Sequence, residues 1–440
     1  MKKQLVKLYF FLLGFTNLIF MWVLYYVLRR HSTLRYKHLS RIQYFSPLIF
    51  KKIKKDIITN NIGTLSSKEE VKVLFCLYTA SMWSLDGLYH KFVEEKKYKP
   101  TILVAPFAGI EPESSRIKTF EDTKQFLIDK NYDVVTPYDN NFNIKDYDII
   151  FYTTPYDFST PNVNVLELPI EKLICYISYS YMLSQRFEKL NLPAYQLSWL
   201  FFCDSDFYLN LVKTKSKIYT DNAVYCGFAK IDQYYQTNIN RVSEKKIIIY
   251  APHHSVSRDG IKSATFDQNA EMLFNIAQNN KDVFYWIIKP HPLLRYHSVL
   301  AGIFKDETGY DDYMSRWANS GFATVIEKGD YWDAFKMSDA MITDSVSFLA
   351  EYQFTGKPLL LLESGYQTYN DFGKSIVDVL YRCKGDDQSA IESFLDDINS
   401  GIDTMRGVRT RFFDEYLGYY EKFGKLAFEN MFDIIDGYLK

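Results

Sequence analysis

Short apolar runs alternate with amphipathic stretches from residue 71 to residue 365. The apolar runs have the length and the β-branched or aromatic content of buried strands, and the stretches between them carry apolar residues at helical spacing. Strands that alternate with helices form βαβ units and parallel sheets. The predicted strands form two series, 71–78, 101–107, 132–137, 148–153 and 172–178, then 247–251, 283–289, 323–327, 339–343 and 358–363.

Helices are predicted between these strands, and a polar stretch at residues 236–246 separates the two series. The predicted helices are 85–96, 115–130, 182–190, 266–279, 331–337 and 347–354. Residues 391–437 are amphipathic without a further strand, and we expect them to pack back on the first domain. The pattern therefore predicts an α/β, GT-B-like protein with two doubly wound Rossmann-like domains facing a cleft, at 71–240 and 241–390, and C-terminal helices at 391–440.

The amino-terminal segment is apolar and is flanked by basic residues. Residues 8–28 carry no charge, and as a helix they would be about 31 Å long, enough to cross a bilayer. We expect a membrane-anchor helix within 1–31 and a basic juxtamembrane segment at 32–70. The heavier positive charge follows the apolar stretch, which predicts a body on the cytoplasmic side of the inner membrane. The alternative is a helix that only lies on the membrane surface.

Charge is distributed unevenly along the chain. The formal net charge is −1, yet the first 55 residues hold twelve Lys or Arg and no acidic residue, which leaves 40 basic and 53 acidic residues for the remainder. The basic terminus predicts contact with anionic lipid headgroups. The five cysteines are scattered without a C-x-x-C pair, and the seven histidines show no H-E-x-x-H spacing. This usage is typical of a reducing compartment, and we expect no metal, no cofactor and no nucleic-acid partner.

Cationic and imidazole side chains follow predicted strands of the second series. Residues 289–292 read Lys-Pro-His-Pro, so two prolines restrict the backbone around His291. His253 and His254 follow an earlier strand, and imidazole can contact a phosphate or transfer a proton near neutral pH. Ligands of open α/β sheets bind at the carboxyl ends of the strands. Lys289 and the three histidines therefore predict a site for an anion, most simply a phosphate ester. A satisfied loop histidine is the alternative for each imidazole.

Hydroxyl and carboxylate side chains follow the strand at 339–343. A helix that starts after Thr343 and Asp344 would present backbone N–H groups beside the hydroxyls of Ser345 and Ser347, which together can bind an anion. A helix N-cap alone would also explain Asp344 or Ser345. Glu351 lies one turn later on the face of Ser347 and is predicted to reach a ribose or substrate hydroxyl.

Two further motifs carry weaker signals. Gly227 permits a turn in the predicted linker, and Lys230 in the same segment is predicted to face the cleft. The run Asp204-Ser205-Asp206 has the D-x-D form of a divalent-cation site, but two carboxylates alone rarely hold Mg²⁺. We interpret it as a solvated acidic loop.

Taken in order, these motifs resemble the CDP-glycerol:poly(glycerophosphate) glycerophosphotransferase family of teichoic-acid and capsule synthesis. The G-x-P-R-x-D element of that family is similar to residues 227–232, with Ala for Pro and Lys for Arg. Its Y-A-P-T element resembles residues 250–253, and its K-x-H-P element resembles 289–292. Its T-D-Y-S-S-x-x-x-D-Y element is similar to residues 343–352, and the following G-K-P is present at 356–358.

The resemblance implies a GT-B transferase that uses a CDP-alditol donor and a lipid-linked glycan or polymer acceptor and releases CMP. It implies a donor site at Lys230, Lys289, Thr343, Ser345, Ser347 and Glu351, and reacting groups at His291, His253, His254 and Asp344. The family's W-H-G-x-P element, whose His is the presumed acceptor base, has no match, because residues 175–180 read CYISYS. His253 or His254 is an alternative group for that proton.

Two other functions fit the same pattern. A nucleotide-sugar glycosyltransferase for capsule or lipopolysaccharide would use the same crevice, because that crevice can hold any nucleotide diphosphate. A non-catalytic membrane-bound partner that retains the fold would explain the missing histidine.

Overall fold

A computed structural model describes residues 35–45, 47–109, 113–216, 220–236, 239, 241–256, 262–327 and 331–440. The predicted anchor helix within 1–31 lies outside the described residues. Within the described ranges, no helix combines the length and apolar composition needed to cross a bilayer.

The chain divides into two compact units. The first contains the described residues of Met1–Tyr179, Arg186–Lys230 and Phe423–Lys440, and the second contains those of Ser180–Gln185 and Ile231–Lys422. Each unit is built around one parallel sheet with helices packed against it. The predicted α/β class with two parallel sheets is therefore confirmed.

The sheet of the first unit has seven parallel strands in the order β3-β2-β1-β4-β5-β6-β7. Its strands are β1 Val71–Leu77, β2 Tyr98–Val104, β3 Val134–Val135, β4 Ile149–Tyr152, β5 Leu173–Ile177, β6 Leu200–Cys203 and β7 Ala223–Tyr225. Strand β1 is buried except at Lys72, as a central strand covered on both faces should be. Phe75 of β1 stacks on Phe151 of β4 with ring centroids 4.8 Å apart.

Helices cover this first sheet. They are Tyr36–Phe45, Pro47–Ser66, Asp86–Glu94, Glu113–Asp129, Pro193–Leu197, Asp206–Lys215 and Ala427–Leu439. The last helix buries Met431, Ile435 and Leu439, which follow one another at the four-residue spacing of a single helix face. Its Phe432 ring packs on Phe92 at 5.7 Å. The expectation that the trailing segment packs on the first domain is confirmed for this helix alone.

The sheet of the second unit has six parallel strands in the order β10-β9-β8-β11-β12-β13. Its strands are β8 Lys246–Ala251, β9 Phe284–Ile288, β10 Ala323–Val325, β11 Ala340–Thr343, β12 Leu359–Glu363 and β13 Tyr381–Lys384. Its helices are Asp232–Gln236, Phe266–Asn279, Leu294–Leu300, Glu307–Ala318, Trp332–Met337, Val346–Glu351, Asp371–Val377, Gln388–Ser400, Arg406–Tyr416 and Tyr419–Phe423.

Tertiary contacts overturn the helix predicted at 182–190. The carbonyl of Met182 accepts a hydrogen bond from the Asn370 side chain at 2.6 Å, and the carbonyl of Leu183 accepts the Asn370 N–H at 2.8 Å. These backbone groups are used in packing within the second unit instead of in a helical ladder. A short 3₁₀ turn at Phe187–Asn191 follows.

Strand order reverses at one place in each sheet. In the first unit β1 pairs with both β2 and β4, and in the second unit β8 pairs with both β9 and β11. The chain leaves the two central strands in opposite directions, which opens a crevice at their carboxyl ends. These two switch points are where each unit is expected to bind a ligand.

Candidate functional site

Three loops meet at the switch point of the second unit, after β8, β9 and β11. The N–H of His291, after β9, donates to the carbonyl of Pro252, after β8, at 3.0 Å. The N–H of His253 donates to the carboxylate of Asp344, after β11, at 2.6 Å. Direct hydrogen bonds therefore join the three strand ends at which the sequence predicted a site.

The histidine rings of these loops form one cluster. The His254 ring lies 4.2 Å from that of His253 and 4.0 Å from that of His291, and the His253 and His291 rings are 4.8 Å apart. His297, on the following helix, lies 5.1 Å from His254. One small group placed in the cluster could therefore contact several imidazoles.

These imidazoles are held in their neutral form. Burial, and next the neighbouring His297, lower the pKa of His253 to about 4. Burial lowers the pKa of His254 to about 2, and burial with the other histidines holds that of His291 well below its usual range. Close cationic rings would repel one another, so all three are uncharged at neutral pH when no anion is bound.

Backbone hydrogen bonds set the tautomer of two rings. The N–H of Leu293 donates to Nδ1 of His291 at 3.1 Å. The N–H of Ser255 donates to Nδ1 of His253 at 3.3 Å, and the Ser255 hydroxyl lies 2.8 Å from the same nitrogen. A backbone N–H can only donate, so each Nδ1 uses its lone pair and the neutral ring carries its proton on Nε2. Both rings therefore present an N–H donor from Nε2.

This tautomer decides what the cluster binds. One ring nitrogen from each of His253, His254 and His291 lies within 4.8 Å of the others, a spacing that could hold a metal ion. A metal ligand must offer a lone pair, whereas two of these rings have theirs engaged by backbone N–H groups. Ring N–H donors instead fit the oxygens of an anion such as a phosphate.

Asp344 connects the residues of the site through hydrogen bonds. It is buried, and besides the N–H of His253 it accepts the N–H of Thr265 at 2.6 Å and the hydroxyl of Thr265 at 3.0 Å. Burial raises its pKa to about 6 although these hydrogen bonds act in the opposite direction. The geometry shows Asp344 as a group that positions the histidine loop. Its predicted reacting role stays a prediction.

The hydroxyls around Asp344 have different surroundings. Thr343 is buried and donates to the carbonyl of Ala251 at 2.7 Å, which ties β11 to β8. Ser345 is buried at the helix start, and Ser347 is half-buried. The helix they begin, Val346–Glu351, has only six residues. Its dipole is correspondingly small, so the predicted anion site depends on the histidines more than on this helix start.

The remaining predicted donor residues are buried to different depths. Glu351 is fully buried and accepts a hydrogen bond from the hydroxyl of Tyr331. Lys289 is buried at the end of β9, where its N–H donates to the carbonyl of Tyr250 at 2.9 Å. Lys230 is buried in a 3₁₀ turn of the first unit. Lys289, Glu351 and the histidines therefore lie in the second unit, and Lys230 does not.

Two residues that support the site were not predicted from the sequence. Thr265 supplies two of the hydrogen bonds to Asp344, and Ser263 hydrogen-bonds the Ser255 hydroxyl at 2.6 Å. Both precede the helix Phe266–Asn279 in a loop with no motif of its own. The only available signal is that a Thr stands just before a predicted helix, where an N-cap is common.

The interpretation of the D-x-D run as a solvated loop is wrong for Asp204 and Ser205, which are buried, whereas Asp206 is exposed at the start of a helix. Ser205 caps the helix Asp206–Lys215 by accepting the N–H of Tyr208 at 3.2 Å, and it donates to Asp204 at 2.7 Å. Asp204 is buried, and burial raises its pKa to about 7. A buried carboxyl beside a helix cap has a structural role.

Comparison with known proteins matches nearly all of the second unit and part of the first to one family. The family model described as CDP-Glycerol:Poly(glycerophosphate) glycerophosphotransferase matches residues 182–422, more than half of the chain. A search of curated proteins found no match.

Solved structures of the wall teichoic acid polymerase TagF share the fold. A histidine-to-asparagine variant soaked with CDPG is 13% identical, with a TM-score of 0.54 over 97% of this chain and 98% of that chain. The same variant without the soak is 12% identical, with a TM-score of 0.52 over 97% and 99%. A histidine-to-alanine variant is 11% identical, with a TM-score of 0.51 over 88% and 96%. With the motifs at three joined strand ends and the family match over residues 182–422, the chain belongs to the CDP-glycerol:poly(glycerophosphate) glycerophosphotransferase family of transferases.

Proposed function

We propose that this protein transfers a glycerol-phosphate or related polyol-phosphate unit from a CDP-alditol to a lipid-linked glycan or polymer at the inner face of the membrane, with release of CMP. The observation that carries the donor assignment is the pair of rings, His253 and His291, whose Nδ1 atoms are engaged by backbone N–H groups. Their Nε2–H groups are donors suited to the oxygens of a diphosphate.

The reaction is a phosphoryl transfer. The oxygen of an acceptor hydroxyl forms a bond to the phosphorus that bears the polyol, and the bond from that phosphorus to the bridging oxygen of CMP breaks. The proton of the acceptor hydroxyl is released to water, and CMP keeps the electron pair of the broken bond. Such a step needs charge neutralisation and alignment more than covalent help from the protein. Imidazole donors and the buried Lys289 are suited to that task.

Neutral rings favour turnover. Three permanently charged side chains would hold the product CMP as firmly as the donor, whereas neutral imidazoles donate hydrogen bonds and gain charge only when an anion stabilises it. The lowered pKa values of His253 and His254 therefore match a site that must bind and then release phosphates.

A panel of donors tests the proposal. The full-length protein, purified in detergent, is given CDP-glycerol, a UDP-sugar or a CMP-sugar with a membrane extract as acceptor, and the released nucleotide is separated by chromatography. The expected result is CMP from CDP-glycerol alone and a polyol phosphate in the acceptor fraction. Release of a nucleotide from a UDP-sugar, or release of CMP only from a CMP-sugar, would instead identify a glycosyltransferase. No turnover and no binding of any donor would identify a non-catalytic protein.

Membrane association is supported by charge. Twelve basic residues and no acidic residue precede Asp56. In the described part of this segment, Arg41, Leu48, Lys51 and Lys52 are exposed on two consecutive helices. Sedimentation with vesicles tests this directly. Binding to vesicles that contain anionic lipid, weakened by salt, is expected, and equal recovery with and without vesicles would contradict it.

A further inference from the structure

The first unit has a switch point of its own, between β1 and β4. The predicted donor-site residues do not lie there. Tyr78 follows β1 directly, and residues 153–160 form the loop after β4. The loop after β2 contains Phe107. Because β2, β1 and β4 are neighbours in the sheet, these three segments emerge side by side at its carboxyl edge.

Backbone hydrogen bonds fix this arrangement. The N–H of Ala108 donates to the carbonyl of Asp157 at 3.1 Å, and the N–H of Ser159 donates to the carbonyl of Pro106 at 2.9 Å. A bridge between Phe107 and Phe158 completes this pairing. The loops after β2 and β4 are therefore joined above the end of β1, and Asp157 is held at the switch point by its own backbone.

Three aromatic rings lie together at this edge. The Phe107 ring is 5.0 Å from that of Tyr78 and 5.8 Å from that of Tyr156. All three residues are only half-buried, although large aromatic side chains of a folded domain usually lose most of their exposure. Partly open rings next to one another offer apolar surface with a polar edge, which suits the C–H faces of a sugar or polyol.

Two charged residues, Asp157 and Lys189, lie next to this aromatic group, one adjacent to Tyr156 in the chain and one in contact with its ring. Asp157 is exposed, and within the described part of the chain its carboxylate forms no hydrogen bond or ion pair. The nearby protein removes part of its hydration and raises its pKa, so this carboxylate gains more from a new donor than a fully hydrated one would. The ammonium of Lys189 hydrogen-bonds the Tyr156 hydroxyl and lies 5.0 Å from the ring centroid.

We propose that Tyr78, Phe107, Tyr156 and Asp157 form the binding site for the sugar or polyol of the acceptor, with the Asp157 carboxylate accepting hydrogen bonds from its hydroxyls. Lys189 adds a positive charge beside the rings, which favours an acceptor that also carries a phosphate. The assignment of this ligand as the acceptor rests on the proposed function, whereas the binding site itself does not.

The position agrees with the departure from the family motif. The family's W-H-G-x-P histidine has no equivalent in this chain at the end of β5. Strand β5 pairs directly with β4. Asp157 therefore follows the strand next to the one that lacks the histidine. In this proposal the Asp157 carboxylate contacts the acceptor hydroxyl from the end of β4.

Steady-state kinetics with two variants and two matched controls test the site. Asp157→Asn keeps the size of the side chain and removes its charge, and Asp146→Asn makes the same change on an exposed aspartate before the opposite end of β4. Tyr156→Ala removes one ring, and Tyr138→Ala removes an exposed tyrosine elsewhere in the unit. Both site variants should raise the acceptor KM about tenfold, Asp157→Asn by weakening hydrogen bonds to a charged group and Tyr156→Ala by removing ring contact, with the KM for CDP-glycerol unchanged.

Direct ligand binding separates this proposal from the proposed function. Saturation-transfer NMR on the full-length protein, with N-acetylglucosamine 1-phosphate and glycerol 3-phosphate as separate probes, needs no turnover. Signal transfer to at least one probe that is lost in Asp157→Asn and Tyr156→Ala, but kept in both controls, would support the site even if CDP-glycerol proved not to be the donor. Equal transfer in all five proteins, or none in wild type, would overturn it. Unchanged thermal unfolding of each variant excludes misfolding as the cause.

Discussion

The Asp344 carboxylate accepts the backbone N–H of His253 at 2.6 Å, so the end of β11 sets the position of the loop that follows β8. The other carboxylate oxygen accepts two hydrogen bonds from Thr265. One buried side chain thus fixes both ends of the connection between β8 and the helix Phe266–Asn279. The donor site is built on this backbone contact as much as on the side chains that face the ligand.

Asp344→Asn should weaken both the fold and the site. An amide offers one acceptor oxygen, and its NH₂ group must then face donors that it cannot satisfy, at a cost of about 1–3 kcal/mol in the free energy of unfolding. Urea denaturation measures this cost, and isothermal titration measures the affinity for CDP-glycerol. Asp339→Asn is the matched control, because Asp339 precedes β11 and accepts the N–H of Ile247 at 2.7 Å. It should cost similar stability and leave affinity unchanged. Equal loss of affinity in both variants would contradict the positioning role.

Substitutions of His291 test which ring nitrogen acts on the ligand. His291→Ala should lower kcat/KM about a hundredfold, as removal of one transition-state donor does. Glutamine places its amide near the Nε2 position and asparagine near Nδ1, so His291→Gln should recover part of the activity and His291→Asn should not. Equal recovery of activity by both variants, or stimulation of the wild-type protein by added Zn²⁺, would favour a metal centre. His90→Gln, at an exposed residue of the helix Asp86–Glu94 in the first unit, is the control.

Stability should fall as the pH is lowered from about 6.5 towards 4. The pKa of His253 is about 4 in the folded protein, against about 6.5 when unfolded, and those of His254 and His291 are also lowered. The unfolded chain therefore binds more protons in this window, and for His253 this costs about 2 kcal/mol at pH 5. Asp344, with a pKa raised to about 6, acts in the opposite sense and offsets part of the loss.

Urea titrations at pH 7.5 and pH 5 measure this dependence. His254→Asn should reduce the pH effect, because one histidine that is neutral in the folded protein has been removed. An unaltered pH dependence in His254→Asn would show that the cluster does not titrate as described.

Lys357 of the G-K-P element should matter for stability. Its ammonium donates to the carbonyls of Phe335 at 3.0 Å and Lys336 at 2.6 Å, which lie in the last turn of the helix Trp332–Met337. Lys357→Met keeps the length of the side chain and leaves these carbonyls without that donor, at about 1–3 kcal/mol. Lys374→Met, on an exposed lysine, should change stability by less than about 1 kcal/mol. A thermal melt that shows equal shifts would contradict the prediction.

The helix Ala427–Leu439 should contribute to the first unit as a core element does. Ile435 is fully buried, so Ile435→Ala should cost about 2–5 kcal/mol through lost apolar contact and the cavity that remains. Asp433→Ala on the same helix removes only an exposed ion pair with Lys425 and should cost less than about 1 kcal/mol. Equal effects in chemical denaturation would show that the helix is not packed as described.

Much of the fold and part of the site could be predicted from the sequence. Apolar runs such as β8 predict strands because a strand covered on both faces must be apolar along its length. The meeting of His253, His291 and Asp344 then follows, because parallel strands end at one edge of a sheet.

The rest depends on packing that local sequence does not encode. Strand β7 has only three residues. In the edge strand β13, charged side chains alternate with uncharged ones. Neither sequence therefore predicts a buried strand. The hydrogen bonds from Thr265 to Asp344 join residues 79 positions apart. The tautomer of His291 depends on the N–H of Leu293, which only the folded loop directs at the ring.

The first unit is completed by a helix that is encoded after the whole second unit. Residues 231–422 intervene between β7 and the helix Ala427–Leu439 that covers Phe92. On the ribosome, these intervening residues take on the order of ten to forty seconds to be synthesised. During that interval the second unit can fold, while the first exposes the apolar surface that Met431 and Ile435 will later cover. Nascent chains of this protein should therefore depend on chaperones at the first unit until the last helix has emerged.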